Sequence, residues 1–137
     1  MNMNPIKKIY KFNEQAGLLF KGYSDERECA FPIEEALEQS RFKDPKGASR
    51  KIVDGIFDDI VVSDVDRLDK HLDIIVYSLG SIFKLGLSPQ DFMKALDIVA
   101  DKNMEKISAG QDEAGKQRKP EGFTGPEAQL QKILDSL

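Results

Sequence analysis

An all-α fold, a helical bundle of about five to six helices, is what this sequence predicts, and three observations predict it. Proline and glycine divide the chain into runs whose apolar residues recur at helical spacing. The alternating pattern of half-buried strands between turn clusters is nearly absent. Ser, Asp and Pro stand where the runs open, and Gly stands where they stop. At 137 residues, with 40% hydrophobic and 32% charged side chains, the chain has the length of a single domain over 1–137 and the balance of a water-soluble globular protein.

The first helix is expected over 5–16, with Pro5 at its start and Gly17 as its stop. A turn around Gly22, Tyr23, Ser24 and Asp25 follows. The second helix is expected to open at Pro32, because a first-turn N–H has no intrahelical partner to lose, and to run to about Gln39. Asp44-Pro45 opens the third, which reaches about Ile60. Ser63 caps the longest helix, over 64–85, with Asp66 at the capping-box position and Gly86 as the stop. Its second half is apolar nearly all round, through Ile74, Ile75, Val76, Tyr77, Leu79, Ile82, Phe83 and Leu85, so it is expected at the centre of the fold or of a dimer. Ser88-Pro89-Gln90-Asp91 repeats the cap and starts a fifth helix to about Ser108. Residues 109–125 read as a flexible basic loop, and Pro126 opens a last short helix.

The formal charge of −4 offers no general attraction to polynucleotides or anionic membranes. No window reaches the roughly 18 apolar residues of a spanning helix, and no signal-peptide stretch follows the first residues. A cytoplasmic location is expected. Cys29 is the only cysteine and His71 the only histidine, which excludes an internal disulfide and a Cys/His zinc cluster. Beside Ala30 and Phe31, Cys29 is expected to be a small buried hydrophobe.

Two acidic sets remain as candidate chemistry. On a helical wheel Ile33, Ala36 and Leu37 form one stripe, and Glu34, Glu35 and Glu38 lie together on the opposite side. A solvated face, or first-turn acids suited to the helix dipole, would give the same pattern. Asp66, Asp69 and Asp73 share a face of the longest helix beside its apolar stripe, where partial burial is expected and cations would be needed to tolerate the like charges. Asp66 also serves the cap, and Lys70 can pair with Asp66 or Asp73 by spacing. Carboxylates without histidine suit Mg2+, or Mn2+, rather than zinc. His71 points about 180° away from the aspartates on the wheel and has a surface or packing role. On the fifth helix Phe92, Leu96, Val99 and Ile107 form an apolar stripe with Asn103 in its middle, an amide that requires partners. Lys102 and Lys106 flank that stripe.

Taken in order, Glu34-Glu35-x-x-Glu38, then Asp73-Ile74-Ile75-Val76-Tyr77, then Asn103-Met104-x-Lys106 resemble the motifs of the all-α nucleotide pyrophosphohydrolases. These are the MazG-like proteins, with the phosphoribosyl-ATP pyrophosphohydrolases as relatives. Phe12-Asn13-Glu14-x-x-Gly17 near the start, and Gly115-Lys116 through Lys119-Pro120-Glu121-Gly122-Phe123-x-Gly125-Pro126-Glu127 near the end, resemble the MazG-like branch.

The resemblance implies a nucleoside triphosphate pyrophosphohydrolase that cleaves the α/β anhydride to a monophosphate and pyrophosphate. Glu35, Glu38 and Asp73 would bind magnesium, and Glu34 would be a further ligand or, with Glu35, the base for water. Asn103 and Lys106 would contact phosphates or sugar. Asn13, with Phe12 and Tyr23, would belong to the base pocket, with packing or turn roles as the alternative. One departure stands out: the family places Glu three residues before the second-motif aspartate, where this chain has Lys70. Asp69 is assigned the missing ligand role. Lys116, Arg118 and Lys119 would close over the phosphates or remain solvated. Two other functions fit the same residues: action on phosphoribosyl-ATP or a modified nucleotide, and a catalytically silent helical dimer that binds nucleotide or protein. Related proteins build pockets between subunits, and with the apolar stretch after Asp73 this makes a homodimer or higher homo-oligomer the expected state.

Overall fold

The structure, a computed structural model, describes residues 4–39, 43–56 and 62–137. Among the described residues every regular element is helical: α1 (Pro5–Gln15), α2 (Leu18–Lys21), α3 (Asp25–Gln39), α4 (Pro45–Ile56), α5 (Asp64–Lys84), α6 (Pro89–Glu105) and α7 (Glu127–Asp135), with a 3-10 turn at Ile107–Ala109. Among the described residues no single helix is long and apolar enough to cross a membrane. The helices fall into two compact units, one of Met1–Phe20 and Val62–Leu137, the other of Lys21–Val61.

In the first unit α6 is the hub, packed by α1, α7 and α5. Side-chain caps set where these helices begin. The Asn4 side chain accepts from the Lys7 amide ahead of Pro5, Ser63 accepts from the Asp66 amide, and Ser88 and Asp91 complete a reciprocal capping box. Gly86, at φ +100°, ends the turn after α5 in a conformation that side-chain-bearing residues rarely adopt. Lys8 of α1 reaches Asp97 at 2.7 Å and Asp101 at 2.8 Å on α6. Between Asp64–Lys84 and Pro89–Ala109 the chain direction changes by 112°, so α6 meets α5 at its C-terminal end. There Phe83 and Phe92 pack edge to face at 6.3 Å. An apolar pocket of about 280 Å³ lies beside them, lined by Ile82 and Leu85, by Phe92, Leu96 and Val99 of α6, and by Leu130, Ile133 and Leu134 of the C-terminal segment. The expected stripe Phe92, Leu96, Val99 is therefore in use.

The second unit is the pair α3 and α4. Asp44, at φ +52°, opens α4 by accepting from the Gly47 amide. Ser49 and Val53 of α4 are buried.

Three expectations need correction. Helix α3 begins at Asp25, and Pro32 lies inside it. Ser24 opens this helix, its amide donating to the Glu28 carboxylate and its hydroxyl accepting from the Arg27 amide, with Asp25, Glu26 and Glu28 suiting the dipole. The apolar second half of α5 is exposed in the single chain, Tyr77 to 78% and Val76 to 64%, so of the two expected places the centre of the fold is not the one it takes; α6 turns away from it. Cys29 is exposed as well, since it falls about a quarter-turn off the stripe of Ala30, Ile33, Glu34 and Leu37 on α3. The expected end of the third helix, beyond Ile56, lies outside the described residues.

Candidate metal site on α3

Helix α3 carries Glu34 on a stripe with Ala30, Ile33 and Leu37, at the 3–4 spacing of a packed helical face. Glu34 is only 5% exposed, whereas Glu35 and Glu38 are exposed. The wheel expectation, with all three glutamates opposite the apolar stripe, holds for Glu35 and Glu38 and fails for Glu34. It fails because Glu34 is four residues after Ala30 and three before Leu37, so it falls on the stripe those two define.

One carboxylate oxygen from each of Glu34, Glu35 and Glu38 can be chosen so that all lie within 4.8 Å of one another. A sidewall of one buried and two exposed carboxylates suits a hard divalent ion, which takes oxygen ligands and keeps waters on its open side. Nothing in the group is soft or basic enough to favour zinc. The residues present therefore offer the oxygen donors that a hard divalent cation takes.

The second acidic set belongs to the other unit. Asp69 and Asp73 are exposed, and Lys70 binds both, at 2.9 Å and 3.7 Å. The hydrogen bond that Lys70 donates to Asp69, and then the charges of Asp69 and Asp73, hold its ammonium above its ordinary value. The partial burial expected of this set is not found, for the same reason that α5 is exposed. Asp66 is absorbed by the cap, since Ser63 donates to its carboxylate at 2.9 Å.

The expected substrate residues lie in the first unit. Asn103, partly buried, accepts from the Lys106 ammonium at 3.3 Å. Lys102 and Lys106 both approach the face of Phe123, at 5.9 Å and 5.4 Å from the ring centre. Phe123 has no role in the sequence-based expectations; the signal for it is a lone aromatic in a basic, glycine-rich stretch two helical turns of lysines could reach. Asn13 donates to the Ile9 carbonyl one turn back at 2.8 Å, a local helical bond. The Lys116 amide donates to Asp112, whose own amide donates to the Lys116 carbonyl at 2.8 Å. Gln117 ties this segment down by donating to the carbonyls of Lys106 and Gly110, each at 2.7 Å.

Cys29 lies on the same helix as the three glutamates. Partial burial, and then the negative charges of Asp25 and Glu28, push its thiol above the ordinary range. His71 is half-buried on α5.

Comparison with protein-family models, with curated proteins and with solved structures finds no match for this chain.

Proposed function

We propose that this protein is a divalent-metal-dependent nucleotide pyrophosphohydrolase, converting a nucleoside triphosphate and water into a monophosphate and pyrophosphate. The observation that carries the reading is the convergence of Glu34, Glu35 and Glu38 within 4.8 Å on one helix. The order of its motifs along the chain supports it, as does the all-helical architecture.

Glu34, Glu35 and Glu38 would hold Mg2+; the ligand roles of Asp69 and Asp73 rest on the resemblance of the second motif alone. When bound, the ion supplies neutralisation of phosphate charge and acidification of water. The protein's own part is to fix carboxylates and to accept a proton. Water adds at phosphorus, the bridging α/β P–O bond breaks toward pyrophosphate, and the proton released by the water passes to Glu35 or Glu34. Asn103, Lys106, Asn13 and Lys116 are assigned to the nucleotide. Lys106, bonded to Asn103, would present its positive end to phosphate oxygens.

One observation favours a second reading, a catalytically silent dimer that binds nucleotide or protein. Lys70 neutralises both Asp69 and Asp73, so the second ligand pair already has a cation. A panel of nucleoside triphosphates and phosphoribosyl-ATP, incubated with Mg2+ or Mn2+ and read out as pyrophosphate, decides between them. Turnover of canonical or damaged triphosphates is expected, and Asp73→Asn is expected to abolish it with helical content unchanged. Turnover of phosphoribosyl-ATP alone would move the substrate assignment. Silence with every metal would overturn the hydrolase and leave the binding dimer.

A further inference from the structure

Two lysines at the C-terminal end of α6 converge on one aromatic ring. The Lys106 ammonium lies 5.4 Å and that of Lys102 5.9 Å from the centre of Phe123, within the range at which the electron-rich face of a ring attracts a cation. The lysines are one helical turn apart, a spacing at which like charges repel each other. All three residues are partly buried, and all belong to the first unit.

A built turn places the ring. The Phe123 amide donates to the Pro120 carbonyl at 3.1 Å, and Gly122, at the third position of that turn, takes φ +73°, where a side chain would be strained. Upstream, Gln117 bridges to Gln111, and its side chain donates to the Lys106 carbonyl at 2.7 Å. The segment that carries the ring is thus fastened to a residue that carries one of the cations.

A ring attracts an ammonium group without cancelling its charge, because the ring has no net charge of its own. Lys70 shows the opposite arrangement, held between the carboxylates of Asp69 and Asp73. Lys102 does pair with Glu105 at 3.1 Å, but that carboxylate is 54% exposed, and an ion pair of this kind is weak enough to yield to a stronger anion. Lys106 is oriented by the Asn103 amide, to which it donates at 3.3 Å. A chain of adjacent phosphates meets such a gathered pair at two points, as a lone carboxylate does not.

We propose that Phe123 is a positioning residue, gathering Lys102 and Lys106 so that both meet the triphosphate chain of the substrate, with Lys102 a phosphate contact beyond those assigned above. The proposal rests on the nucleotide reading for its substrate. The role it gives the ring is electronic, so tyrosine can fill it and leucine cannot.

The test titrates the full chain with inorganic tripolyphosphate in a calorimeter, without metal and at low salt, as parent, Phe123→Leu, Phe123→Tyr and Lys102→Gln. Phe123→Leu and Lys102→Gln are each expected to bind about fivefold more weakly, and Phe123→Tyr to stay within about twofold of the parent. In turnover, Phe123→Leu is expected to raise KM for a nucleoside triphosphate with kcat little changed. Equal binding by the parent and Phe123→Leu would overturn the proposal, as would a loss in Phe123→Tyr that matches the loss in Phe123→Leu, or a parent that binds no tripolyphosphate. Ring-dependent binding without turnover of any nucleotide would leave the positioning role standing and remove the hydrolase. Turnover with a KM indifferent to Phe123→Leu would do the reverse. Should Phe123→Leu unfold, the parent decides: the ring current of Phe123 is expected to move the ε-methylene protons of Lys102 and Lys106 upfield in its NMR spectrum, and ordinary shifts there would overturn the proposal.

Discussion

Glu34 sits on a packed helical stripe at 5% exposure, an environment in which a carboxylate is stabilised only by compensating partners. Glu35 and Glu38 beside it are open to solvent. A cation held by the three is therefore expected to lean most on Glu34, which cannot relax away into water. Glu34→Gln keeps the size and removes the charge, and should weaken Mn2+ binding by about tenfold or more, equivalent to ~1.4 kcal/mol or above. Glu35→Gln should cost less. Titration of free Mn2+ by its electron paramagnetic resonance signal checks both, and equal affinities for the parent and Glu34→Gln would remove Glu34 from the site. The acidic motif itself was legible from residue order alone. The burial of Glu34 was not, since a wheel drawn on Ile33, Ala36 and Leu37 omits Ala30, and Ala30 enters the helix only when its start is placed at Asp25.

Caps made the helices of the first unit legible. Ser63, Ser88 and Asn4 each precede their helix and accept an amide hydrogen bond from its first turn, so local chemistry specified those boundaries without tertiary help. Removing the Ser88 hydroxyl in Ser88→Ala should cost about 1 kcal/mol, read as a lower urea midpoint with an unchanged slope. The same box has an acid dependence. Hydrogen bonds from the Ser88 hydroxyl and amide hold the Asp91 carboxyl below its usual 3.8. Its contribution is complete above that value and is lost as pH falls through the lower folded one. The start of α3 was harder to see because Pro32 is a strong local signal for a first turn, and here a helix of 15 residues accommodates it internally. Ser24, followed by Asp25, Glu26 and Glu28, was the competing signal.

Across the first unit, α1 is tied to α6 by Lys8, whose side chain is 15% exposed between Asp97 and Asp101. Hydrogen bonds to Asp101 and then Asp97 raise its ammonium above the ordinary 10.5. The stabilisation is fully present below that value and is lost as pH rises through the higher folded one. Lys8→Met should therefore melt earlier than the parent at neutral pH, with the difference closing in strongly alkaline buffer; thermal melts at a series of pH values above 10.5 check it. An ion pair spanning two helices so far apart in the chain was not legible, because Lys8, Asp97 and Asp101 each look like ordinary surface charges until α1 is placed on α6. The apolar half of α5 is the opposite case. Its spacing is plain in the letters, yet whether it is covered depends on the angle at which the next helix leaves.

The first unit is interrupted: its segments Met1–Phe20 and Val62–Leu137 flank the whole of the second. A chain emerging from the ribosome therefore presents α1 long before α6, its packing partner, exists. Closing that contact carries the entropy of the intervening loop, whereas α3 and α4 are neighbours in sequence and can pair as soon as both have appeared. The glutamate-bearing hairpin can thus form first, while the Lys8 face of α1 waits for α6 to emerge.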